Sequence, residues 1–314
     1  MKREQILCLG PTPALQRVMV FRKLVLDEVN RAVTTLDGIA GKGVNVAKVL
    51  QALGGRPVAL GFVGGERGKI LRTALLERRI EMDFINVAAP TRQCITVIDE
   101  AAAIQTELVE ESKPVSKANY DSLYAAVERR LPKAQAIVMS GTLTPGGPER
   151  FYARCVRLAR EVGVLSIVDA KGPPLVQALK AGPGLVKPNR TELAATVGRD
   201  LTDEKQTLRA MRDLHAQGAE RIVVTAGSQP ALTFDGHKCW RIIPPKVKAV
   251  NPIGSGDAFT ACLTWRLLEG DSLGDACRWA SAAGAANALT LMAGEVEPRV
   301  VKRLFRLIRQ EKVH

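Results

Sequence analysis

Residues able to carry chemistry gather in three short segments. The first is Asn251-Pro252-Ile253-Gly254-Ser255-Gly256-Asp257-Ala258-Phe259, set directly before an apolar helical pattern at Ala258, Ala261, Cys262, Trp265 and Leu268. Glycines let successive backbone N–H groups converge, and at a helix N-terminus the macrodipole makes those donors a seat for phosphate. Asp257 would repel phosphate as a plain ligand, but it suits a base that takes the proton of a hydroxyl attacking that phosphate. The same residues also describe an ordinary glycine turn with an Asp cap. The second segment, Gly38-Ile39-Ala40-Gly41-Lys42-Gly43-Val44-Asn45, opens another helix and fits neither the P-loop spacing nor the dinucleotide fingerprint. It either brings Lys42 and Asn45 to a polyhydroxylated or phosphorylated ligand or simply starts a helix. In the third, Val186-Lys187-Pro188-Asn189-Arg190-Thr191-Glu192, a strand ends and a helix begins, with Asn189 and Glu192 three apart. Two oxygen donors so placed suit a hydrated Mg²⁺, which takes few protein groups, and they equally form a capping box.

Such sites need strand ends and helix starts brought to one edge. Short runs at 5–9, 57–63, 135–139, 164–169, 184–187 and 221–225 are bounded by Gly or Pro and are mostly continuous rather than alternating, the pattern of strands buried on both faces. Between them, Val46, Val49, Leu50 and Leu53 keep helical spacing up to Gly54-Gly55. Further helices are predicted over 66–79, 116–131, 148–162, 203–217, 257–269, 272–291 and 297–312. This alternation predicts an α/β fold with right-handed crossovers and a mainly parallel sheet covered on both sides. Residues 11–37 and 85–110 break the alternation, with β-branched and polar residues taking turns (Thr96, Val97, Ile98, Asp99). They predict a small β-sheet lid on a single domain spanning 1–314.

With 314 residues, 46% apolar and 25% charged, the chain is long enough for a large core, and disordered or collagen-like classes are excluded. Subtracting 32 acidic from 45 basic residues leaves +13, which favours anionic partners in general. The densest cluster (Arg299, Lys302, Arg303, Arg306, Arg309, Lys312) reads as the solvated face of a terminal helix rather than a nucleic-acid site. Six cysteines without a CxxC pair point to a reduced, cytoplasmic protein. Lys2 and Arg3 precede an apolar run that Pro11 and Pro13 interrupt, too short for a signal sequence or a membrane span.

Taken in chain order, these segments resemble the PfkB (ribokinase-like) carbohydrate kinases, in the branch of 1-phosphofructokinase and tagatose-6-phosphate kinase. Asp27-Glu28-Val29-Asn30-Arg31, the run from Ala40 to Leu50, Ser140-Gly141-Thr142-Leu143 with Pro145-Gly146, Lys187 to Leu193 and Gly254 to Phe259 carry the resemblance over nearly the whole chain. It implies a three-layer α/β/α domain with a β lid, ATP along the carboxyl edge of the sheet, and sugar held between lid and core. Asp257 would be the base, with Gly254, Ser255 and Gly256 as the anion hole. Asn189 and Glu192 would organise Mg²⁺ and phosphates, partly through water, alongside Lys187. Thr225 and Gly227 would form the nucleotide-phosphate turn, and Gly284 and Asn287 the adenosine wall. On the sugar side stand Gln16, Gly41, Lys42, Gly43 and Asn45, with Arg92 on the phosphate already carried by the substrate.

The chain departs from the branch's usual pattern at Gln16, where a carboxylate is expected, at Ala40, at Cys94 within Arg92-Gln93-Cys94-Ile95-Thr96, and at Pro230. All but Pro230 fall on the sugar side. The expected activity is therefore ATP- and Mg²⁺-dependent phosphorylation of a hydroxymethyl group on a ketohexose phosphate. The rivals are a sugar-phosphate sensor with little turnover and a kinase of another sugar or a nucleoside. A homodimer through the lid is compatible with the sequence, and neither a membrane nor a nucleic-acid partner is expected.

Overall fold

Apolar runs closed by glycine or proline fold into the strands Gln5–Leu9, Pro57–Leu60, Ala134–Ser140, Leu165–Asp169, Leu185–Val186 and Ile222–Ala226, and helices separate most of them. The structure, a computed structural model, describes residues 4–313, so Lys2 and Arg3 lie outside the described residues. Ten strands form one sheet. From one edge to the other they are Arg309–Val313, Cys239–Ile243, Gln229–Phe234, Ile222–Ala226, Leu185–Val186, Leu165–Asp169, Ala134–Ser140, Gln5–Leu9, Pro57–Leu60 and Glu81–Met82. The seven from Ile222–Ala226 to Glu81–Met82 pair in parallel; the three at the other edge are antiparallel. Both faces of the sheet are covered, which is why its central strands read as unbroken apolar runs. Leu7, Ile137, Val168 and Ile222 enter one core with helices Lys117–Arg130, Phe151–Glu161 and Glu204–Ala216. Ile6, Val138, Ile167 and Val223 enter the other with Lys42–Ala52, Ser255–Leu268 and Leu273–Asn287.

Where the sequence alternates instead of running apolar, a separate four-stranded sheet forms. Ala14–Phe21 pairs antiparallel with Thr34–Ala40 and in parallel with Arg92–Asp99, which pairs antiparallel with Ile104–Val109. On its inner face Val18, Val20 and Ile98 pack on Leu291 and Met292 of the main body.

Two expectations need correction. The helix expected over 297–312 is Pro298–Phe305 only, and Arg309–Val313 is an edge strand antiparallel to Cys239–Ile243. Arg309 and Lys312 therefore do not share a helical face with Arg299, Lys302 and Arg303. The basic residues recur at a spacing that suits a helix, but an open strand edge takes Arg309–Val313 into its ladder. The helix expected over 272–291 stops at Asn287, where the chain turns back under the small sheet.

Candidate active site

Parallel strands deliver their carboxyl ends to one edge of the sheet, and loops there carry the site. Asp169 closes Leu165–Asp169, Lys187 follows Leu185–Val186, and an isolated parallel bridge sets Asn189 beside Thr225. The helix Lys42–Ala52 reaches this edge because two glycines meet: a Cβ on Gly43 would lie 2.7 Å from the Gly10 nitrogen. That approach places Lys42 and Asn45 over the strand ends.

Gly254 adopts φ +83°, and a Cβ there would come 2.8 Å from both Ala293 Cβ and the Gly294 nitrogen, so only glycine makes this turn without displacement. The helix Ser255–Leu268 follows at once, its first N–H groups lacking intrahelical partners. Asp257 sits in that first turn, 6% exposed, and accepts a 2.7 Å hydrogen bond on Oδ2 from Asn45 Nδ2. Burial pushes its carboxyl up to about 6; Asp169 adds to the rise, while Lys42, the Asn45 bond and Lys187 oppose it. A carboxylate so tuned is ionised at neutral pH yet basic enough to accept a proton from a reacting hydroxyl.

Beneath Asp257 lies a residue the sequence reading did not single out. Asp169 is fully buried, with Lys42 Nζ at 3.2 Å from Oδ1, Lys187 Nζ at 3.2 Å from Oδ2, and Thr260 Oγ1 donating to Oδ2 at 3.0 Å. Burial opposes its charge, but Lys187 and Lys42 prevail and hold its carboxyl below the usual range. In turn Asp169, Asp257 and Glu192 outweigh the burial of Lys42 and keep its ammonium charged. A carboxylate closing an otherwise apolar strand was the available signal; its partners lie far away in sequence.

The main cavity, about 410 Å³, brings together Gln16, Gly41, Lys42, Asn45, Arg92, Lys187, Asn189, Glu192, Thr225, Gly254, Gly256 and Asp257. A neighbouring groove of about 310 Å³ continues from Asn189 and Thr225 past Gly227. Four expected site residues stand behind these walls. Gly43 is spent on the contact with Gly10. Ser255 accepts from Asn287 Nδ2 at 3.3 Å, and Asn287, fully buried, also donates to the Ile253 carbonyl at 2.9 Å and accepts from the Gly294 N–H at 2.8 Å. Gly284 lets the two helices cross, since a Cβ would approach the Ser255 carbonyl oxygen to 3.0 Å. Gly284 and Asn287 thus hold the glycine turn in place instead of lining either cavity.

Asn189 and Glu192 do form a capping box: the Glu192 N–H donates to Asn189 Oδ1 at 2.8 Å and the Asn189 N–H to Glu192 Oε2 at 2.9 Å. Both residues nevertheless face the main cavity, and Glu192 Oε1 is 3.6 Å from Lys42 Nζ with no hydrogen bond of its own. A carboxylate oxygen held only by a long ion pair, beside an amide, suits a magnesium ion that keeps most of its waters.

A helix-terminal anion seat, a buried carboxylate and fixed cations at the open end of an α/β sheet are the parts phosphoryl transfer requires. Residues 4–298 match the family described as pfkB family carbohydrate kinase. A tagatose-6-phosphate kinase of Staphylococcus epidermidis is 30% identical over 306 residues, covering 96% of this chain and 98% of its own. Among solved structures, a protein described as a possible 1-phosphofructokinase from Thermotoga maritima superposes with TM-score 0.91 at 25% identity, over 99% of this chain and 100% of the other. Phosphofructokinase-2 from Escherichia coli does so with TM-score 0.87 at 28% identity, over 98% and 99%. The chain belongs to the pfkB family of carbohydrate kinases and has the ribokinase-like fold; it is an ATP-dependent carbohydrate kinase.

Proposed function

We propose that this kinase transfers the γ-phosphoryl group of ATP to a hydroxymethyl group of a ketohexose phosphate. The observation that carries the reading is Asp257, a buried carboxylate raised to about 6 and held by Asn45 in the first turn of a helix whose N-terminus opens into the cavity. The sugar hydroxyl would give its proton to Asp257 while the cavity-facing backbone N–H groups of the Gly254–Gly256 turn stabilise charge on the moving phosphoryl group, the Ser255 N–H itself closing the turn onto the Pro252 carbonyl. Lys42, kept charged by Asp169, Asp257 and Glu192, and Lys187, which is ion-paired to Asp169, stand at the same place. The nucleotide fits the groove past Thr225 and Gly227. Magnesium, held through water by Glu192 and Asn189, would supply neutralisation of the phosphate charge.

Substrate class follows from the cations and from the relatives. Arg92 lines the cavity with its Nε bound to the Thr12 carbonyl at 3.3 Å, which aims the guanidinium for a bidentate grip on a phosphate. The Escherichia coli phosphofructokinase-2 has been crystallised with fructose 6-phosphate. Coupled assays of kinase and ATPase turnover across fructose 1-phosphate, fructose 6-phosphate, tagatose 6-phosphate and the free hexoses test the reading. Turnover of a sugar phosphate well above the free sugars, and its selective loss in Arg92→Ala, are expected; free hexoses as the better substrates would overturn it. We also propose that the small sheet acts as a lid over the sugar and that its outer face joins two copies of the chain.

A further inference from the structure

The cavity wall contributed by the small sheet carries two hydrogen-bond acceptors with nothing to accept from among the described residues. Gln16 is 2% exposed; its Nε2 donates to Thr96 Oγ1 at 2.9 Å, which leaves Oε1 buried and without a donor. Glu107 is exposed but lines the same cavity; its carboxylate makes no hydrogen bond or ion pair among the described residues and feels Arg92 only through space. Strand register makes these residues neighbours. Gln16 is opposite Cys94 and Thr96 is opposite Glu107, so all four share the inner face. Cys94 and Val109, directly opposed, put an apolar patch between Glu107 and Arg92. Arg92 and Thr96 are four residues apart, about 13 Å along a strand, room for a phosphate at one end and hydroxyls at the other.

We propose that Glu107 is a specificity-determining residue: its carboxylate, together with Gln16 Oε1, accepts hydroxyl protons from the sugar at the end remote from Arg92. This rests on the site being that of a sugar kinase and adds which part of the sugar it reads. A carboxylate accepts from two hydroxyls at once, whereas the Gln16 amide offers one acceptor, so the wall selects sugars with adjacent hydroxyls there. A substrate lacking one of them would either leave the buried Gln16 Oε1 unpaired or forgo the charge-assisted bond to the exposed Glu107 carboxylate, and each loss weakens binding of the deoxy analogue.

The test uses Glu107→Gln, which keeps size, and Glu107→Asp, which keeps charge, with kcat/KM measured on ketohexose phosphates, free hexoses and analogues each lacking one hydroxyl. Glu107→Gln is expected to lower kcat/KM on the preferred sugar roughly 10- to 100-fold, mainly through KM, with the KM for ATP unchanged. Glu107→Asp should recover part of that loss. On the analogue missing the hydroxyl that Glu107 reads, the unmodified enzyme and Glu107→Gln should coincide. An equal loss on every sugar and analogue, or none on any, would overturn the proposal. Preference for free hexoses would sink the sugar-phosphate reading alone, since the comparison on those hexoses still decides the role of Glu107. A general loss of fold would lower the amount of active enzyme and so the apparent kcat on every sugar alike, which the expected sugar-selective rise in KM excludes.

Discussion

At Asp257, the burial that lifts the carboxyl to about 6 also sets the pH range of turnover. The base must be ionised, so kcat/KM should be flat above that value and fall about tenfold per pH unit well below it. Asp257→Asn removes the proton acceptor without changing shape, and kcat should drop at least about 100-fold. Stability should move the other way. A carboxyl whose pKa is higher folded than unfolded favours the native state most at low pH, and that advantage is lost as pH rises through about 6. Hence Asp257→Asn should unfold at an equal or higher temperature than the unmodified protein at pH 7.5 by calorimetry; a lower midpoint would show that the Asn45 bond outweighs the buried charge. Glu192 allows a similar separation of roles. Glutamine at that position still accepts the Asn189 N–H, so Glu192→Gln keeps the capping box and removes only charge. The Mg²⁺ concentration for half-maximal rate should rise several-fold while the sugar KM holds; an unchanged magnesium titration would reduce Glu192 to its cap.

Element geometry decides which parts of the site could be foreseen. The turn at Gly254–Gly256 and the starts of helices at Lys42 and Arg190 depend on glycines, caps and apolar spacing within a few residues, and those patterns are local enough to read from sequence. Asp169 was not legible as part of the site. Its meaning comes from Lys42, Lys187 and Thr260, which only the packing of two helices and a neighbouring strand end around it brings within 3.2 Å. The last strand was misread for a related reason: residues 309–313 have no strong period of their own, and the ladder of Cys239–Ile243 decides their state. Gly284 and Asn287 show the same limit, because their positions were recognisable but their packing behind the glycine turn was not. From that packing, Asn287→Ala strips the Gly294 N–H and the Ile253 carbonyl of buried partners, at a cost of about 1–3 kcal/mol each when unreplaced. Urea unfolding should show that loss, and kcat should fall with it while ATP affinity changes little. Loss of stability with full kcat would mean that the turn keeps its shape without Asn287.

For the whole molecule, the outer face of the small sheet is the feature the kinase site leaves unexplained. Met19 stands opposite Val97 and Ile95 opposite Leu108, with Ile104 further along the outer strand beyond Thr106; Leu108 and Ile104 are each 53% exposed. Leu26, on the loop between the first two strands of that sheet, is 86% exposed. Apolar residues contiguous on one face mark a contact surface more than isolated ones do. Two chains of net charge +13 repel at long range, so an apolar joint between copies should tighten as salt screens that repulsion. Sedimentation is therefore expected to show a dimer whose dissociation constant falls between 50 and 300 mM salt, and Leu108→Lys should yield monomer. The strand that carries Leu108 outward carries Glu107 and Val109 into the cavity, because alternate residues of a strand face opposite ways. A partner on the outer face would then steady the inner one, and the monomeric Leu108→Lys should bind sugar several-fold more weakly while its KM for ATP stays as it was. If that variant remains dimeric, the joint lies elsewhere; if it is monomeric with an unaltered sugar KM, the lid closes without help from a second copy.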